Sequence, residues 1–173
     1  MATKVKVISG DITRVSVDAL ITAISSVGMW FGGIDGVINR VAGNLFHSQA
    51  AAKMPLRDGQ TVVACNSGRA HNGAFKNVVF VVDDLKQPLR TIIYNGLIAA
   101  SSASFKTVSL PTIRMGVMLG GVEKSASEAV SEMAKGVSTF LAEHHNTPLE
   151  QITFVVYRDP DTHHLLESAL NAH

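Results

Sequence analysis

Short apolar runs alternate along this chain with longer segments of helical period, and this alternation restricts the fold more than any other feature. Two of the runs, NVVFVVD at 77–83 and ITFVVYR at 152–158, are apolar at successive positions instead of alternating ones. A strand of that kind buries both of its faces, so helices must cover the sheet on both sides. The alternation of such strands with helices predicts an α/β domain with a largely buried sheet.

The bounds of the predicted elements follow from the period of the apolar residues and from the turn residues between them. Strands are expected near residues 4–9, 18–24, 61–66, 77–83, 107–111 and 151–158. Helices are expected at about 35–53, 86–103, 123–145 and 161–171. The third helix has the clearest pattern, and Ser125 with Glu128 fits a capping box at its start. Asp161, which follows Pro160, is the expected N-cap of the last helix.

Length and composition indicate one domain. The chain has 173 residues, of which 46% are hydrophobic and 17% are charged. This length suits a single domain over residues 1–173, with an unusually apolar interior or an oligomer interface. No apolar run approaches the roughly 20 residues that span a bilayer. Because the first residues also lack the apolar stretch of a secretory signal, a cytoplasmic protein without a membrane partner is expected.

Charge and cysteine content argue against several functional classes. The 15 basic and 14 acidic residues are scattered, so they do not point to a nucleic-acid partner, which stays an open alternative. Cys65 is the only cysteine, so there is no internal disulfide and no thiolate metal cluster within one chain; a buried thiol is expected. The adjacent pairs His144–His145 and His163–His164 would point about 100° apart on a helix, so no metal site is predicted.

Three loops follow predicted strands, at the place where ligands bind in such sheets. SGDIT at 9–13 places Asp11 after the first strand, either as a ligand acceptor or as an ordinary turn residue. GGIDG at 32–36 joins glycines to a helix start, which admits an anion but also serves purely structural helix entries. PTIRMGVMLGG at 111–121 is a second strand, glycine loop and helix start. Two such loops favour a diphosphate site without establishing one.

In their order these segments resemble a macro domain, the α/β/α module that binds ADP-ribose. The matching segments are GDIT at 10–13, TAIS at 22–25 in place of the family's NAAN motif, WFGGIDGVINRVAG at 30–43 and PTIRMGVMLGG at 111–121. The resemblance extends to the C-terminus of the chain. It implies a three-layer α/β/α sandwich whose central sheet of about six strands is mixed and mostly parallel, and it implies no cofactor.

The resemblance also assigns ligand contacts by position. Asp11 is expected to accept a hydrogen bond from the adenine amino group, with the Ile12 backbone against the ring and Tyr157 stacked on it. Two loop walls, donating mostly through backbone N–H groups, are expected to hold the diphosphate and the distal ribose. The remaining ligand-binding positions are Thr22, Ser25, Gly32, Gly33, Ile34, Asp35, Arg114, Met115, Gly116, Val117 and Met118.

The departures from the family pattern bear on catalysis. The family's asparagines, which hold the distal ribose and help position the attacking water in many ADP-ribosyl hydrolases, fall on Thr22 and Ser25. A hydroxyl has one donor where an amide has two, so this geometry should be lost. Trp30 and Phe31 add bulk where the family has glycines. Asp35 is retained as the candidate catalytic residue, although it also suits a helix N-terminus.

The expected function is binding of ADP-ribose or a related adenine nucleotide, free or attached to a macromolecule, with weak or no hydrolysis. The first alternative is an enzyme that removes ADP-ribose from macromolecules or dephosphorylates ADP-ribose phosphate, with Asp35 and Ser25 replacing the usual arrangement. The second alternative is a macro fold that recognises RNA, a signalling nucleotide or a protein partner through Trp30 and Phe31.

Overall fold

A mixed six-stranded sheet organises the domain. The computed structural model describes residues 2–26, 34–115 and 120–172. The strands are β1 (Lys4–Ser9), β2 (Val17–Ile24), β3 (Thr61–Ala64), β4 (Phe75–Val82), β5 (Thr107–Pro111) and β6 (Gln151–Val156). Within the described residues they lie in the order β1-β6-β5-β2-β4-β3, and every pairing is parallel except that of the edge strand β3 with β4. The predicted mixed and mostly parallel sheet is confirmed.

Helices cover both faces of this sheet. The helices are α1 (Ile34–Ala42), α2 (His47–Ala51), α3 (Leu89–Ser102), α4 (Ala126–Glu143) and α5 (Pro160–Asn171). Leu20 and Phe80 pack into the core on the side of α1 and α2, whereas the next residues along the same strands, Ile21 and Val81, pack on the side of α3 and α4. All four side chains are at most 1% exposed. The continuous apolar runs therefore fill two cores, and the three-layer sandwich is confirmed.

The single helix predicted at 35–53 is wrong, because two helices, α1 and α2, occupy this range. Gly43 adopts a φ of +56°, and its N–H donates to the carbonyl oxygen of Asn39 at 2.7 Å. A glycine in the left-handed region commonly ends a helix, because a side chain is disfavoured there. The chain then turns before α2 begins at His47, and this turn places the two helix starts side by side.

The predicted helix ends are confirmed in one case and wrong in another. The Ser125 hydroxyl accepts from the N–H of Glu128 at 3.1 Å, as expected of the N-cap of α4. The N-cap of α5 is Asp159, which accepts from the N–H of Thr162 at 3.1 Å, and not Asp161. Proline has no N–H to lose at the first helical position, so the helix includes Pro160. The strands predicted at 4–9 and 107–111 match β1 and β5, and the remaining predicted elements differ from the observed ones by one to three residues at their ends.

The prediction of a buried Cys65 thiol is wrong, because the residue is exposed. Cys65 follows the last residue of β3, an edge strand in which exposure alternates along the chain. The side chain of Gln49 bonds both its backbone N–H, at 3.0 Å, and its carbonyl oxygen, at 2.6 Å. The backbone is thus held while the side chain stays outside the core.

Across the described residues, no helix has both the length and the apolar character needed to cross a membrane.

Candidate functional site

The carboxyl ends of β1, β2, β5 and β6, the described residues that follow β1, β5 and β6, and one face of helix α1 line a cleft of about 490 Å³ at the carboxyl edge of the sheet. The predicted site residues that line it are Asp11, Ile12, Thr22, Ile34, Arg114, Met115 and Tyr157. Of the predicted residues that the structure describes, Ser25 and Asp35 do not line it. Outside the described residues lie Gly32, Gly33, Gly116, Val117, Met118, Trp30 and Phe31. The ends of four neighbouring strands therefore meet at one site.

Asp11 begins a short 3₁₀ turn formed by Ile12–Arg14. Its Oδ1 accepts hydrogen bonds from the hydroxyl of Thr13 at 2.7 Å and from the Thr13 N–H at 3.0 Å. These two bonds lower the pKa of Asp11 below its ordinary value, although burial acts in the opposite direction. Its Oδ2 is 3.8 Å from Nε of Arg14, whose side chain is 87% exposed, a distance too long for a hydrogen bond. Oδ1 thus caps the turn, and Oδ2 can still accept a hydrogen bond from a ligand.

Asp35 lies in the first turn of α1 and is 5% exposed. Its Oδ1 is 2.8 Å from Nε2 of His47, the first residue of α2, which is also buried. The imidazole ring packs against Phe80 with 4.9 Å between the ring centroids. A buried hydrogen bond to a carboxylate is stronger than one between neutral groups. Asp35 therefore joins the starts of two helices, a structural role that its sequence context did not reveal.

Thr22 and Ser25 lie near the end of β2. Thr22 lines the cleft and is 1% exposed, whereas Ser25 is 8% exposed and lies just beyond the strand. The Ser25 hydroxyl has no hydrogen-bond partner within the described ranges. Thr22 therefore supplies a short hydroxyl side chain to the cleft, Ser25 lies outside its lining, and neither position supplies an amide.

One face of α1 runs along the cleft, and sequence reasoning identified only its first residue. Ile34, Val37 and Arg40 line the cleft at intervals of three residues. Arg40 lies close enough to Asp11 to contribute to the lowered pKa of that carboxyl. The C-terminal part of the helix thus lies near the turn after β1, and its N-terminal end, which carries partial positive charge, also borders the cleft. Val37 and Arg40 follow Ile34 at intervals of three residues, which puts them on the same helix face. This spacing was the sequence signal that could have identified them as cleft residues.

Arg114 lines the cleft, but its guanidinium is buried against Asp83 and Glu123. Burial by itself lowers the pKa of Arg114, but the hydrogen bonds to Asp83 and Glu123 outweigh it and raise that pKa. Burial likewise raises the pKa of Glu123, whereas hydrogen bonds from Arg114 and from the N–H of Leu89 outweigh it and lower that pKa. Arg114 is therefore charged, and its charge is neutralised inside the protein.

Tyr157 directly follows β6 and is 65% exposed, although it is a large aromatic residue. The guanidinium of Arg158 lies over its ring, 5.1 Å from the centroid. Asp159, which was not predicted as a site residue, lines the cleft next to it. An exposed aromatic face at the rim of a cleft can stack on a flat ligand.

Among the described residues, no group of three acidic, histidine or cysteine side chains is placed to hold a metal ion.

No family model matches the chain, but individual relatives identify the family. The O-acetyl-ADP-ribose deacetylase of Escherichia coli is 31% identical over 183 aligned positions, which cover 98% of this chain and 97% of the relative. The protein of the same name from Citrobacter koseri is 29% identical, again over 98% of this chain and 97% of the relative.

Solved structures share the fold at lower identity. The Trypanosoma brucei macrodomain in complex with ADP-ribose superposes with a TM-score of 0.80 and 21% identity, over 96% of this chain and 68% of that one. The Oceanobacillus iheyensis macrodomain with ADP gives 0.75 and 18%, over 96% and 89%. Fold and cleft together define an α/β/α domain with its candidate site at the carboxyl ends of parallel strands. The chain belongs to the macro domain family.

Proposed function

We propose that this protein binds ADP-ribose, or a related adenine nucleotide, in the cleft at the carboxyl edge of the sheet. The observation that carries the proposal is the distribution of groups along the cleft. Asp11 and the exposed Tyr157 follow the neighbouring strands β1 and β6, whereas Ile34 and Arg114 belong to the segments after β2 and β5. An acceptor and an aromatic face thus lie on one side, and a helix N-terminus with a loop backbone lies on the other.

The chemistry of these groups suits the two ends of an adenine nucleotide. The ring of Tyr157 would stack on the adenine, and Oδ2 of Asp11 would accept from the exocyclic amino group. The diphosphate would lie against backbone N–H groups at the start of α1 and in the loop after β5. The relatives support this assignment, since one solved macrodomain is a complex with ADP-ribose and the Escherichia coli relative is named for an ADP-ribose ester. ADP-ribosylated macromolecules are the corresponding larger ligands.

Asp11→Asn tests the adenine contact without removing the cap of the 3₁₀ turn. Asparagine keeps one carbonyl oxygen for Thr13 but presents an amide donor where the carboxylate had its second oxygen. We expect calorimetric titration with ADP-ribose to show a dissociation constant raised about tenfold or more, since an unsatisfied buried polar group costs about 1–3 kcal/mol. The exposed Asp161→Asn, outside the cleft, is the matched control and should bind like the wild type.

Two results would contradict the proposal in different ways. If the wild-type protein gives no heat and no thermal shift at millimolar ADP-ribose, the cleft does not bind this ligand. If the wild type binds but Asp11→Asn has an unchanged dissociation constant, the adenine lies elsewhere in the cleft.

We further propose that hydrolysis is weak or absent. The positions of the family's asparagines carry the hydroxyls of Thr22 and Ser25, and Asp35 is buried against His47. One observation points the other way: the chain is 31% identical, over nearly its whole length, to a protein named as a deacetylase. Hydrolysis of O-acetyl-ADP-ribose is therefore the second candidate function. Release of acetate from that ester, followed by proton NMR beside the Escherichia coli relative, decides between them. Turnover that approaches the relative's rate and disappears in Asp35→Asn would favour the enzyme.

A further inference from the structure

A cluster of three buried charges lies behind the loop after β5. Arg114, Asp83 and Glu123 are 4%, 1% and 2% exposed. Nε of Arg114 donates to Oδ2 of Asp83 at 3.0 Å, and Nη2 donates to Oδ1 at 2.7 Å. Nη1 donates to Oε1 of Glu123 at 2.9 Å. Such a desolvated cation is tolerated only when its partners have good geometry, so the position of Arg114 is tightly determined.

Both acidic residues are in turn fixed to the scaffold. Asp83 follows the last residue of β4, and its N–H donates to the carbonyl oxygen of Ile24 at 2.7 Å. Oε2 of Glu123 accepts from the N–H of Leu89, the first residue of α3, at 2.9 Å. The guanidinium therefore connects the loop after β5 to the ends of two central strands and to the start of a helix.

The same cluster closes the base of the loop between β5 and α4. Glu123 lies nine positions after Arg114, and its carbonyl oxygen accepts from the N–H of Gly120 at 2.8 Å. Residues Pro111 to Met115 line the cleft at the beginning of this loop. Arg114 has a φ of +62°, a backbone conformation that is unfavourable for a residue with a side chain. The hydrogen bonds of the guanidinium compensate this cost.

We propose that Arg114 is a positioning residue, and that the Asp83–Arg114–Glu123 cluster holds the two described ends of the loop after β5, residues 112–115 and 120–123, in their ligand-binding conformation before the ligand arrives. The inference rests on the proposed function. It adds that this cluster determines part of the affinity for the diphosphate of the ligand. A loop that is ordered in advance loses less conformational freedom on binding. The cluster acts through the backbone, because its cation is already neutralised by two carboxylates.

The test compares two ligands in matched variants. Arg114→Lys keeps the charge but loses the two-point contact with Asp83. We expect it to weaken ADP-ribose binding about tenfold while leaving the dissociation constant for adenosine, measured by ligand-observed NMR, unchanged. Arg90→Met is the control, since Arg90 forms a half-exposed ion pair with Glu132, at 3.2 Å, between α3 and α4. It should leave both constants unchanged. Unchanged ADP-ribose affinity in Arg114→Lys, or an equal loss for both ligands, would overturn the proposal.

Hydrogen exchange of the ligand-free protein separates this inference from the proposed function. In Arg114→Lys the amides of residues 112–115 and 120–123 should exchange at least tenfold faster than in the wild type, and those of β1 should not change. If the wild type fails to bind ADP-ribose, the proposed function fails, but this result still tests the cluster. Should Arg114→Lys not fold, the triple variant Asp83→Asn, Arg114→Met, Glu123→Gln removes all three charges together and is expected to show the same fast exchange. Exchange at the wild-type rate in the loop refutes the positioning role.

Discussion

His47→Phe is the perturbation that best measures what holds the start of α1. Phenylalanine keeps a ring of similar size, which can retain the packing seen between His47 and Phe80 at 4.9 Å. It removes the nitrogen that lies 2.8 Å from Oδ1 of Asp35. Since both residues are about 5% exposed, water does not readily replace the lost partner. The substitution therefore tests the hydrogen bond with little change in packing.

The expected cost follows from the burial and charge of the acceptor. A hydrogen bond to a charged group contributes about 1.5–3 kcal/mol to the free energy of unfolding. For a domain of this length, each 1 kcal/mol shifts the melting temperature by about 2–4 °C, so a decrease of about 3–12 °C is expected. Equilibrium unfolding in urea, followed by circular dichroism, measures the free energy directly. The exposed His145→Phe is the control and should change it by less than about 0.5 kcal/mol.

A double-mutant cycle with Asp35→Ala, which removes both carboxylate oxygens, gives the refuting outcome. If the two side chains act as a pair, the double variant should be less destabilised than the sum of the single variants by at least about 1 kcal/mol. Strict additivity, or a loss below about 0.5 kcal/mol in His47→Phe, would show that the bond is not a significant link. The outcome also bears on function, because His47→Phe keeps the Asp35 carboxylate. A loss of turnover in Asp35→Asn alone would then report chemistry instead of stability.

Two further predictions concern packing and pH. Gly136→Ala would place a Cβ 2.8 Å from both the carbonyl oxygen of Arg90 and the Cβ of Ile93, so urea unfolding should show a loss of about 1–3 kcal/mol from overpacking. Gly36→Ala in α1, where the added Cβ meets no described atom within 4 Å, should instead gain up to about 1 kcal/mol, and a shared sign would contradict the packing argument. The folded protein holds the pKa of Glu123 below its ordinary 4.5, so its carboxylate contributes stability above that pH and loses it as the pH falls further. The difference in unfolding free energy between wild type and Glu123→Gln should therefore be largest above about pH 4.5 and shrink toward pH 3, and a constant difference would contradict it.

Most of the fold could be predicted because its signals are local. Apolar residues at successive positions of β4 and β6 require burial on two faces, and the structure places Phe80 and Val81 in opposite cores. The Ser125 cap depends on a residue only three positions away. The break between α1 and α2 was missed because Gly43 could equally have been a helix-interior glycine in the sequence. Its positive φ is what ends the helix.

The sequence by itself determined the three-layer sandwich, the family and the strand ends that meet at the cleft, since these depend on period, order and short motifs. Only the tertiary structure decided how the charged groups are used. Asp35 is bonded to a histidine 12 positions away, and Arg114 is held by Asp83, 31 positions away, and by Glu123. Such pairs form only where the fold brings distant segments together and removes water. For that reason Arg114, which was predicted to contribute its backbone to a ligand loop, has its side chain buried and bonded to the scaffold behind that loop.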